Sequence, residues 1–363
     1  MSAKSNTPRS KYVPRAASIT IKDVAREAGV SVASVSRVMN GHDNVQAETR
    51  ARIQAVIERM RYSPHLGARE LITRRSRIIG VLLPDLHGEF FSELIRGIDT
   101  AARERKLHLL LSSAHGDAAE MVAAIQSMRG RVEGLLIMAP HLDASGISER
   151  LSEPVPMVFM NSRVEGGLPS VSIDSYSGAR AMVRHLVSCG HRTIAHISGP
   201  ADNFDSHERR RGYEDELAAS LPGARALILP GDFGEASGHA AGCALAARSP
   251  RPDAVFAAND MMAIGALSAF GSQGLEVPRD IAIAGFDDIP LAAFVRPALT
   301  TARVHIAELG RLALRRVVAA IELALGQPLD EPGDLAPDCL TLQPEPVVRQ
   351  SCGARLSGPL NEK

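Results

Sequence analysis

Apolar residues recur at two different periods along this chain, and the change between them divides it into two parts. Between residues 20 and 61 they follow the period of about 3.6 residues that is typical of amphipathic helices. This pattern predicts helices over 20–28, 32–39 and 47–61. From residue 78 onward, short apolar runs alternate with helical stretches, which predicts βα units and parallel sheets covered on both faces.

The α/β part restarts its pattern near Asp174, which predicts two similar lobes. The expected strands cover residues 78–83, 107–111, 134–138, 157–160, 193–197, 226–229, 254–257 and 281–286. The expected helices cover residues 90–105, 118–129, 176–189, 207–219, 235–247 and 261–273. A late helix over 306–325 and a last strand near 340–342 are expected to return to the first and the second lobe, respectively.

Composition indicates a globular protein without a membrane segment. Hydrophobic residues make up 45% of the 363 residues and charged residues 23%, which suffices for packed cores in two or three domains. The apolar runs are far shorter than the roughly 20 residues that a membrane-spanning helix needs. The N-terminus lacks the apolar stretch of a signal peptide. We therefore expect a cytoplasmic protein with no membrane partner.

Cysteine and histidine positions give no indication of metal or catalytic chemistry. The four cysteines lie far apart, form no CxxC pair and have no nearby histidine at the spacing expected of metal ligands. They are Cys189, Cys243, Cys339 and Cys352. They are expected to be free or buried thiols in a reducing cytoplasm, with a structural zinc site or a disulfide as the alternative. Four histidines of one segment fit a helix and its end, namely His185, His191, His196 and His207. Without GxSxG, HExxH or a phosphate-binding loop, we expect no enzyme activity, no cofactor and no metal.

Charge is distributed unevenly along the chain. The whole sequence is neutral, with 41 basic and 41 acidic residues, but residues 1–77 contain 15 Lys and Arg against 6 Asp and Glu. The remainder is correspondingly acidic. A basic segment joined to an acidic body is typical of a polyanion-binding module attached to a separate domain, although a solvated basic face produces the same counts.

The basic segment contains a helix-turn-helix pattern. Thr20 and Asp23 have the spacing of a capping box, Gly29 supplies a turn, and Ser31 caps the second helix. The inward stripe of the second helix comprises Val35, Val38 and Met39. Its outer side carries Val32, Ala33, Ser36 and Arg37, with Ser34 flanking it.

The outer side of this second helix suits contact with DNA. Val32 and Ala33 fit thymine methyl groups in a major groove, and Arg37 can reach a guanine edge or a phosphate. An ordinary helical hairpin is the alternative interpretation.

Two segments of the chain resemble those of a known family. Residues 20–40, TIKDVAREAGVSVASVSRVMN, are similar almost residue for residue to the head signature of the LacI/GalR family, and residues 62–71, YSPHLGAREL, resemble its hinge. The resemblance implies a small all-α helix-turn-helix head and an α/β two-lobed, periplasmic-binding-protein-like body with parallel sheets. It also implies double-stranded operator DNA and a small-molecule effector as partners.

The same resemblance assigns DNA contacts. Val32 and Ala33 match the positions that choose operator bases, and Arg37 matches a shared base-contacting arginine. The hinge over 64–72 is expected to fold on DNA, with Leu71 wedged between base steps, whereas packing of Leu71 on the body is the alternative. Gly67 departs from the family pattern and predicts a hinge that folds less readily. The expected DNA-contacting residues are Thr20, Ser31, Val32, Ala33, Ser34, Ser36, Arg37, Asn40, Ala68 and Leu71.

Polar residues follow several of the predicted strands. Because ligands of parallel sheets bind at the carboxyl ends of strands, we expect these residues to converge in the cleft between the two lobes. Carboxylate, amide and guanidinium groups suit a hydroxyl-rich ligand. The resemblance matches Arg209, Asn259 and Asp287 to effector-binding motifs, although Asp287 could be a cap or ion-pair residue and Phe91 a core residue. The expected effector-binding residues are Phe90, Phe91, Asn161, Asp205, Arg209, Asn259 and Asp287.

The chain is expected to contain five segments. They are a disordered basic arm over 1–17, a helix-turn-helix domain over 18–62, a hinge over 63–76, an effector-binding and dimerisation domain over 77–349, and a flexible tail over 350–363. Within the large domain, the N-lobe is expected to combine 77–173 with 302–334, and the C-lobe 174–301 with 335–349. The tail shows no heptads, so a homodimer is expected.

The functional hypothesis is a repressor of carbohydrate-utilisation genes that a sugar-type inducer releases from a palindromic operator. A regulator that depends on a purine or another co-repressor is an alternative within the same family. A sugar-binding transport protein is an alternative from another class, against which the head and the missing signal peptide argue.

Overall fold

A computed structural model of the chain describes residues 19–39, 44–62, 75–114, 117–142, 155–164, 167–328 and 339–353. The chain divides into two units, Met1–Ser76 and Arg77–Lys363. Several predictions concern residues outside the described ones, namely the arm over 1–17, Asn40, most of the hinge with Gly67, Ala68 and Leu71, and the tail from residue 354 onward.

The N-terminal unit consists of three helices, as the apolar pattern predicts. They are α1 (Ile21–Glu27), α2 (Val32–Met39) and α3 (Ala47–Arg59). Gly29 makes the turn between α1 and α2 with a φ of 63°, a backbone conformation that favours glycine. A small core holds the helices together through Val24, Ala25, Ala28, Val35, Val38, Ile53, Val56 and Tyr62.

The larger unit alternates strands and helices. Its described strands are, in chain order, β1 (Ile78–Leu83), β2 (His108–Ser113), β3 (Gly134–Met138), β4 (Met157–Met160), β5 (Ser170–Ile173), β6 (Ile194–Ile197), β7 (Leu227–Leu229), β8 (Ala254–Ala257), β9 (Ala282–Ala284), β10 (Thr301–Arg303), β11 (Cys339–Leu342) and β12 (Glu345–Val347). Its described α-helices are α4 (Glu89–Glu104), α5 (Ala118–Met128), α6 (Ser175–Ser188), α7 (Phe204–Ser220), α8 (Glu235–Ala246), α9 (Asp260–Ser272) and α10 (Ile306–Ala324).

Two parallel sheets define two lobes. The first has the strand order β11-β5-β4-β3-β1-β2 and the second the order β7-β6-β8-β9, while β10 and β12 form a separate antiparallel pair. The central strands β3 and β8 are buried along their whole length, because helices cover both faces of each sheet. The predicted α/β architecture with parallel sheets is therefore confirmed.

The prediction for the last strand is wrong. β11 pairs in parallel with β5, with Cys339 opposite Ser170, and so belongs to the first sheet and not to the second lobe. Without it, β5 would be the edge strand of that sheet. The alternating pattern of β11 suits any sheet edge with one covered face, so the pattern alone does not select the edge.

The predicted start of the flexible tail is also wrong. Residues Gln350–Cys352 form a 3-10 helix in which Ser351 and Cys352 are fully buried. The Ser351 hydroxyl donates to the Ile283 carbonyl at 2.7 Å and accepts from the Thr300 amide at 2.8 Å. Because these bonds satisfy buried backbone groups of the second lobe, that lobe extends to Cys352.

Helix α10 packs against α4 with unusually close backbones. A Cβ atom built on Gly97 of α4 would lie 2.0 Å from the Ala307 carbonyl oxygen, and one on Gly310 of α10 would lie 2.5 Å from the Leu94 carbonyl oxygen. Both glycines therefore permit an approach that a larger residue would prevent. Within the described parts of the chain, no helix is both long enough and apolar enough to cross a membrane.

Substituting Gly97→Ala is expected to destabilise the larger unit by about 1–3 kcal/mol, because the added methyl group must displace backbone rather than a flexible side chain. Urea unfolding followed by circular dichroism measures the effect. Gly271→Ala in the last turn of α9 is the matched control, since nothing lies within 4 Å of a Cβ atom there, and it should change the stability by no more than about 0.5 kcal/mol. Equal effects of the two substitutions would contradict the close packing.

Candidate functional site

Helix α2 presents an exposed face on the N-terminal unit. Val32 is 40% exposed, and Ala33 and Arg37 are exposed beside it, whereas Val35 and Val38 are buried. Ser34 and Ser36 are half-buried at the margins of this face. The structure thus places two small apolar side chains and a guanidinium group on one accessible helix surface.

Two of the predicted DNA-contacting hydroxyl groups already serve the helix termini. Thr20 forms a capping box with Asp23, in which its hydroxyl donates to the carboxylate at 2.7 Å and accepts from the Asp23 amide at 3.4 Å. The Ser31 hydroxyl accepts from the Ser34 amide at 3.1 Å. These bonds fix where α1 and α2 begin, and they therefore orient the exposed face of α2.

In the larger unit, all seven predicted effector-binding residues line one cavity of about 430 Å³. Its walls come from the carboxyl ends of strands in both sheets, where β1, β4, β6, β8 and β9 lead into their following loops or helices. This volume lies in the usual range for small-molecule sites. The residues that the structure brings together are Phe90, Phe91, Asn161, Asp205, Arg209, Asn259 and Asp287.

Arg209 lies at the centre of the polar side of this cavity, although it is only 4% exposed. Its Nη1 donates to the Ala258 carbonyl at 2.6 Å and lies 3.3 Å from Asp287 Oδ1. Its Nε donates to the Ser175 hydroxyl at 3.3 Å, and the guanidinium carbon lies 3.9 Å from the centre of the Phe286 ring. These contacts hold the guanidinium plane in one orientation, as ligand recognition requires.

Two buried carboxyl groups accompany Arg209. Asp205 accepts from the Ser175 hydroxyl at 2.8 Å, and burial raises the pKa of its carboxyl group against the opposing effect of Arg209. Burial also raises the pKa of Asp287 to about 7, with Arg209 opposing and Asp205 adding to the rise. Asp287 Oδ1 is buried and lies 3.3 Å from Arg209 Nη1, an ion pair that leaves this oxygen without a well-aligned hydrogen bond from the described residues. Asp287 therefore lines the cavity as the ion-pair partner of Arg209.

The two asparagines of the cavity have structural roles as well. Asn161 Oδ1 accepts from the Ile173 amide at 3.1 Å, and the residue adopts a φ of 40°. Asn259 caps α9 by accepting from the Met262 amide at 3.0 Å, and its Nδ2 donates to the Phe233 carbonyl at 2.9 Å. Each side chain keeps only part of its hydrogen-bonding capacity for a ligand.

Phe90 and Phe91 form the apolar side of the cavity. Their rings meet edge to face, with centroids 5.6 Å apart, and both are half-buried against the hydrophobic core. Phe91 is therefore both a packing residue and a lining residue.

Other lining residues were not singled out from the sequence. Phe233 and Asp232 follow β7, and His141 follows β3. The Phe233 ring fills the space beside Gly199, where a Cβ atom would lie 2.4 Å from it. The same expectation about carboxyl ends of strands, extended to 226–229 and 134–138, would have located all three.

Asp260 is fully buried next to this site. It accepts from the Thr301 hydroxyl at 2.6 Å and from the Ile289 amide at 3.0 Å. Burial, and then the neighbouring Asp287, raise the pKa of its carboxyl group well above the ordinary value. The carboxyl group links α9 to the chain around β10.

His196 is a core residue and not a site residue. Its ring stacks between Tyr213 and Phe256, at centroid distances of 4.9 and 5.1 Å, and Nδ1 donates to the Phe256 carbonyl at 2.9 Å. Burial lowers its pKa to about 4. It is therefore uncharged at neutral pH.

Each of the two units is similar to a known protein family. The model for bacterial regulatory proteins of the lacI family matches residues 20–65, and the model for periplasmic binding protein-like domains matches residues 183–352. Catabolite control protein A of Priestia megaterium is 36% identical over 301 residues, which cover 82% of this chain and 91% of that protein. The ribose operon repressor of Escherichia coli (strain K12) is 36% identical over 300 residues, with 81% and 91% covered.

A solved structure extends the agreement to three dimensions. The crystal structure of the lac repressor dimer bound to operator and the anti-inducer ONPF superposes with a TM-score of 0.82 at 28% identity, covering 93% of this chain and 100% of that chain. The similarity thus spans the helix-turn-helix unit and the two-lobed unit together. The chain belongs to the lacI family of bacterial regulatory proteins.

Proposed function

We propose that this protein is a cytoplasmic repressor that binds operator DNA as a homodimer and is released by a small neutral sugar. It acts by binding and not by catalysis, so it needs no cofactor. The observation that carries the proposal is the exposed face of α2, where Val32, Ala33 and Arg37 stand on a unit that the lacI-family model matches.

The exposed face has the chemistry of a major-groove reader. Small apolar side chains can approach thymine methyl groups, and a guanidinium group can make two hydrogen bonds to a guanine edge. Basic residues exceed acidic ones by nine over residues 1–77, which supplies attraction to phosphates at any sequence. The face therefore accounts for base choice, and the charge accounts for general affinity.

A homodimer follows from the geometry of recognition. One chain carries one such helix, and two copies related by a twofold axis read the two halves of a near-palindrome. The lac repressor structure similar to this chain contains a dimer bound to operator. We assign the same arrangement to this protein.

The cavity favours a neutral, hydroxyl-rich ligand over an anionic one. Arg209 is the only Lys or Arg among its described lining residues, and a phosphate group would meet six acidic side chains there, Asp85, Glu89, Asp205, Asp232, Glu235 and Asp287. A sugar hydroxyl group can both donate to a carboxylate and accept from a guanidinium group. The name of the ribose operon repressor, which is similar to this chain, points to the same ligand class.

One experiment tests both activities in the full-length protein. Genomic fragments retained by the purified protein should be enriched in an inverted repeat, and one monosaccharide or disaccharide should both release this DNA and raise the melting temperature. A ligand at 100 times its Kd stabilises by about 2.7 kcal/mol, and effector and operator affinities are reciprocal. A nucleobase that tightens operator binding would instead establish a co-repressor mechanism, and retention of no specific DNA would favour a transport protein.

Substituting Arg37→Ala is expected to weaken binding to the selected operator by about 10- to 100-fold, equivalent to about 1–3 kcal/mol. The reason is the loss of a bidentate hydrogen bond to a base. The sugar-induced thermal shift should not change. Fluorescence anisotropy titration at fixed salt measures the operator affinity, since salt alone alters it strongly.

Two variants serve as controls for this substitution. Arg37→Lys keeps the charge but lacks the planar guanidinium group, and should recover only part of the affinity. Arg248→Ala removes the same charge from an exposed position in the larger unit and should have no effect. An equal loss on operator and random DNA would show that Arg37 contacts phosphate and does not choose bases.

A further inference from the structure

The end of helix α6 and the C-terminal 3-10 helix bring two thiol groups and an imidazole together. His185 Nε2 lies 3.3 Å from Cys352 Sγ and 3.6 Å from Cys189 Sγ, and the three atoms all lie within 4.8 Å of one another. Cys352 is fully buried, whereas His185 and Cys189 are half-buried. We name these three residues the thiol-imidazole cluster. It lies outside the effector cavity, whose described lining includes none of them.

Rigid elements hold the cluster in place. His185 and Cys189 are four residues apart, so they share one face at the end of α6. Cys352 follows the anchored Ser351, and its own carbonyl lies 2.9 Å from His191 Nε2, within hydrogen-bonding distance. The expectation from sequence that no histidine stands at ligand spacing from a cysteine is therefore wrong. His185 and Cys189 have that spacing, and folding adds a third group from 167 residues away.

The two nitrogen–sulfur distances fit tetrahedral coordination by a thiophilic cation. With metal–sulfur bonds of about 2.3 Å and metal–nitrogen bonds of about 2.0–2.1 Å, a tetrahedral site separates nitrogen from sulfur by about 3.6 Å. The separations of 3.3 and 3.6 Å in this structure need little change to reach that value.

An imidazole Nε2 either donates one hydrogen bond or accepts one, yet here it faces two sulfur atoms. The Cys352 thiol also donates to the Arg349 carbonyl at 3.6 Å. A cation, unlike a single hydrogen bond, can be shared by the imidazole and both sulfur atoms at once.

We propose that His185, Cys189 and Cys352 form a binding site for a thiophilic d¹⁰ cation, Zn²⁺ or Cu⁺. These are the cations that soft thiolate ligands combined with imidazole select. Three protein ligands leave a fourth position to solvent in the Zn²⁺ form. Bound metal ties the C-terminal segment to α6 and stabilises the second lobe.

The site is remote from the ligand cavity. Helix α6 has 14 residues and begins at Ser175, which hydrogen-bonds Asp205 and Arg209, so the cluster lies about 20 Å from that end of the helix. Metal binding should therefore raise stability without changing the affinity for the effector.

The test uses the full-length protein, freed of metal and reduced with a reductant that contains no thiol. It is titrated separately with Zn²⁺, Cu⁺ and Mg²⁺, and bound metal per chain and melting temperature are measured. One equivalent of Zn²⁺ or Cu⁺ should remain bound after desalting and raise the melting temperature, whereas Mg²⁺ should do neither. The cation retained in competition between the first two identifies the preferred metal. Retention of neither would overturn the proposal.

Substitutions locate the site, and spectroscopy identifies its ligands. Cys189→Ser and His185→Gln should each weaken metal binding about tenfold or more, and Co²⁺ bound to the unmodified protein should show thiolate-to-metal charge-transfer absorption. Cys243→Ser is the matched control, because Cys243 also lies near a histidine four residues away, His239 at 3.8 Å. Loss of binding in Cys243→Ser equal to that in Cys189→Ser, or a Co²⁺ complex without thiolate absorption, would contradict the assignment.

Discussion

Replacing Arg209 by methionine is expected to weaken the response to sugar strongly and to destabilise the larger unit. Methionine fills much of the same space but lacks the guanidinium group that lies 3.3 Å from Asp287 and donates to Ala258 and Ser175. Removing one partner of a buried ion pair costs about 3–5 kcal/mol of stability. Loss of charged hydrogen bonds to the ligand should reduce sugar affinity about 100-fold.

Both effects can be measured on one preparation of the variant. Urea unfolding reports the stability, and a sugar titration followed by thermal shift and by operator release reports the affinity. The variant should stay on its operator at sugar concentrations that release the unmodified protein. This behaviour follows because the head unit, with its own core and the exposed face of α2, is unchanged.

Two further variants control for charge and for folding. Arg210→Met removes the same charge from the next residue of α7, whose side chain is 51% exposed and pairs with Glu214, and should have little effect on either measurement. Arg209→Lys keeps a cation beside Asp287 and should recover stability more than sugar affinity. A sugar response in Arg209→Met equal to that of Arg210→Met would exclude Arg209 from the ligand site.

The contribution of Asp287 to the stability of the protein is expected to fall between about pH 4 and pH 7. Its pKa is about 7 in the folded chain against an ordinary value of 3.8, mainly because the carboxyl group is buried. The folded state therefore holds this proton more tightly than the unfolded state. The resulting stabilisation is complete below about pH 4 and is lost as the pH rises through 7, a change of up to roughly 4 kcal/mol.

The difference between the unmodified protein and Asp287→Asn isolates this contribution. Asp205 and Asp260 also have raised pKa values and change stability in the same direction, whereas the lowered pKa of His196 changes it in the opposite direction, so the total slope is not informative by itself. Urea unfolding at several pH values should give a flatter profile for Asp287→Asn. Parallel profiles for the two proteins would show that Asp287 keeps an ordinary pKa in the folded state.

The same group predicts how the ligand responds to pH. A sugar hydroxyl group donates more strongly to a carboxylate than to a neutral acid, and Asp287 lines the cavity beside Arg209. Sugar affinity should therefore rise between pH 6 and 8 in the unmodified protein, and this rise should be absent in Asp287→Asn.

Secondary structure was largely predictable because its signals are local. The three head helices and the alternating strands and helices of the body follow from apolar period, capping residues and glycine turns. The missed strands β5, β10 and β12 have three or four residues each and contain polar side chains or proline. Helix α7 begins at Phe204 and not near residue 207, because Asn203 caps it by accepting from the Ser206 amide.

The location of the effector cavity was also predictable from the sequence, whereas the hydrogen-bond and ion-pair partners of its lining side chains were not. Carboxyl ends of parallel strands share one edge of a sheet, so residues that follow several strands must meet. Which of them remain available depends on neighbours from distant elements. Asn259 is engaged by Met262 and Phe233, while Asp287 pairs with Arg209 at 3.3 Å.

By itself the sequence determined the helix-turn-helix head, the outward orientation of Val32, Ala33 and Arg37, the α/β class of the body and the edge at which its cavity lies. Tertiary structure alone decided that β11 completes the first sheet, that Cys352 joins His185 and Cys189, and that burial raises the pKa of Asp287. The physical reason is the separation along the sequence over which each interaction acts. Periodicity and capping act over a few residues, whereas edge pairing, desolvation and side-chain clusters depend on chain segments that only the folded state brings together.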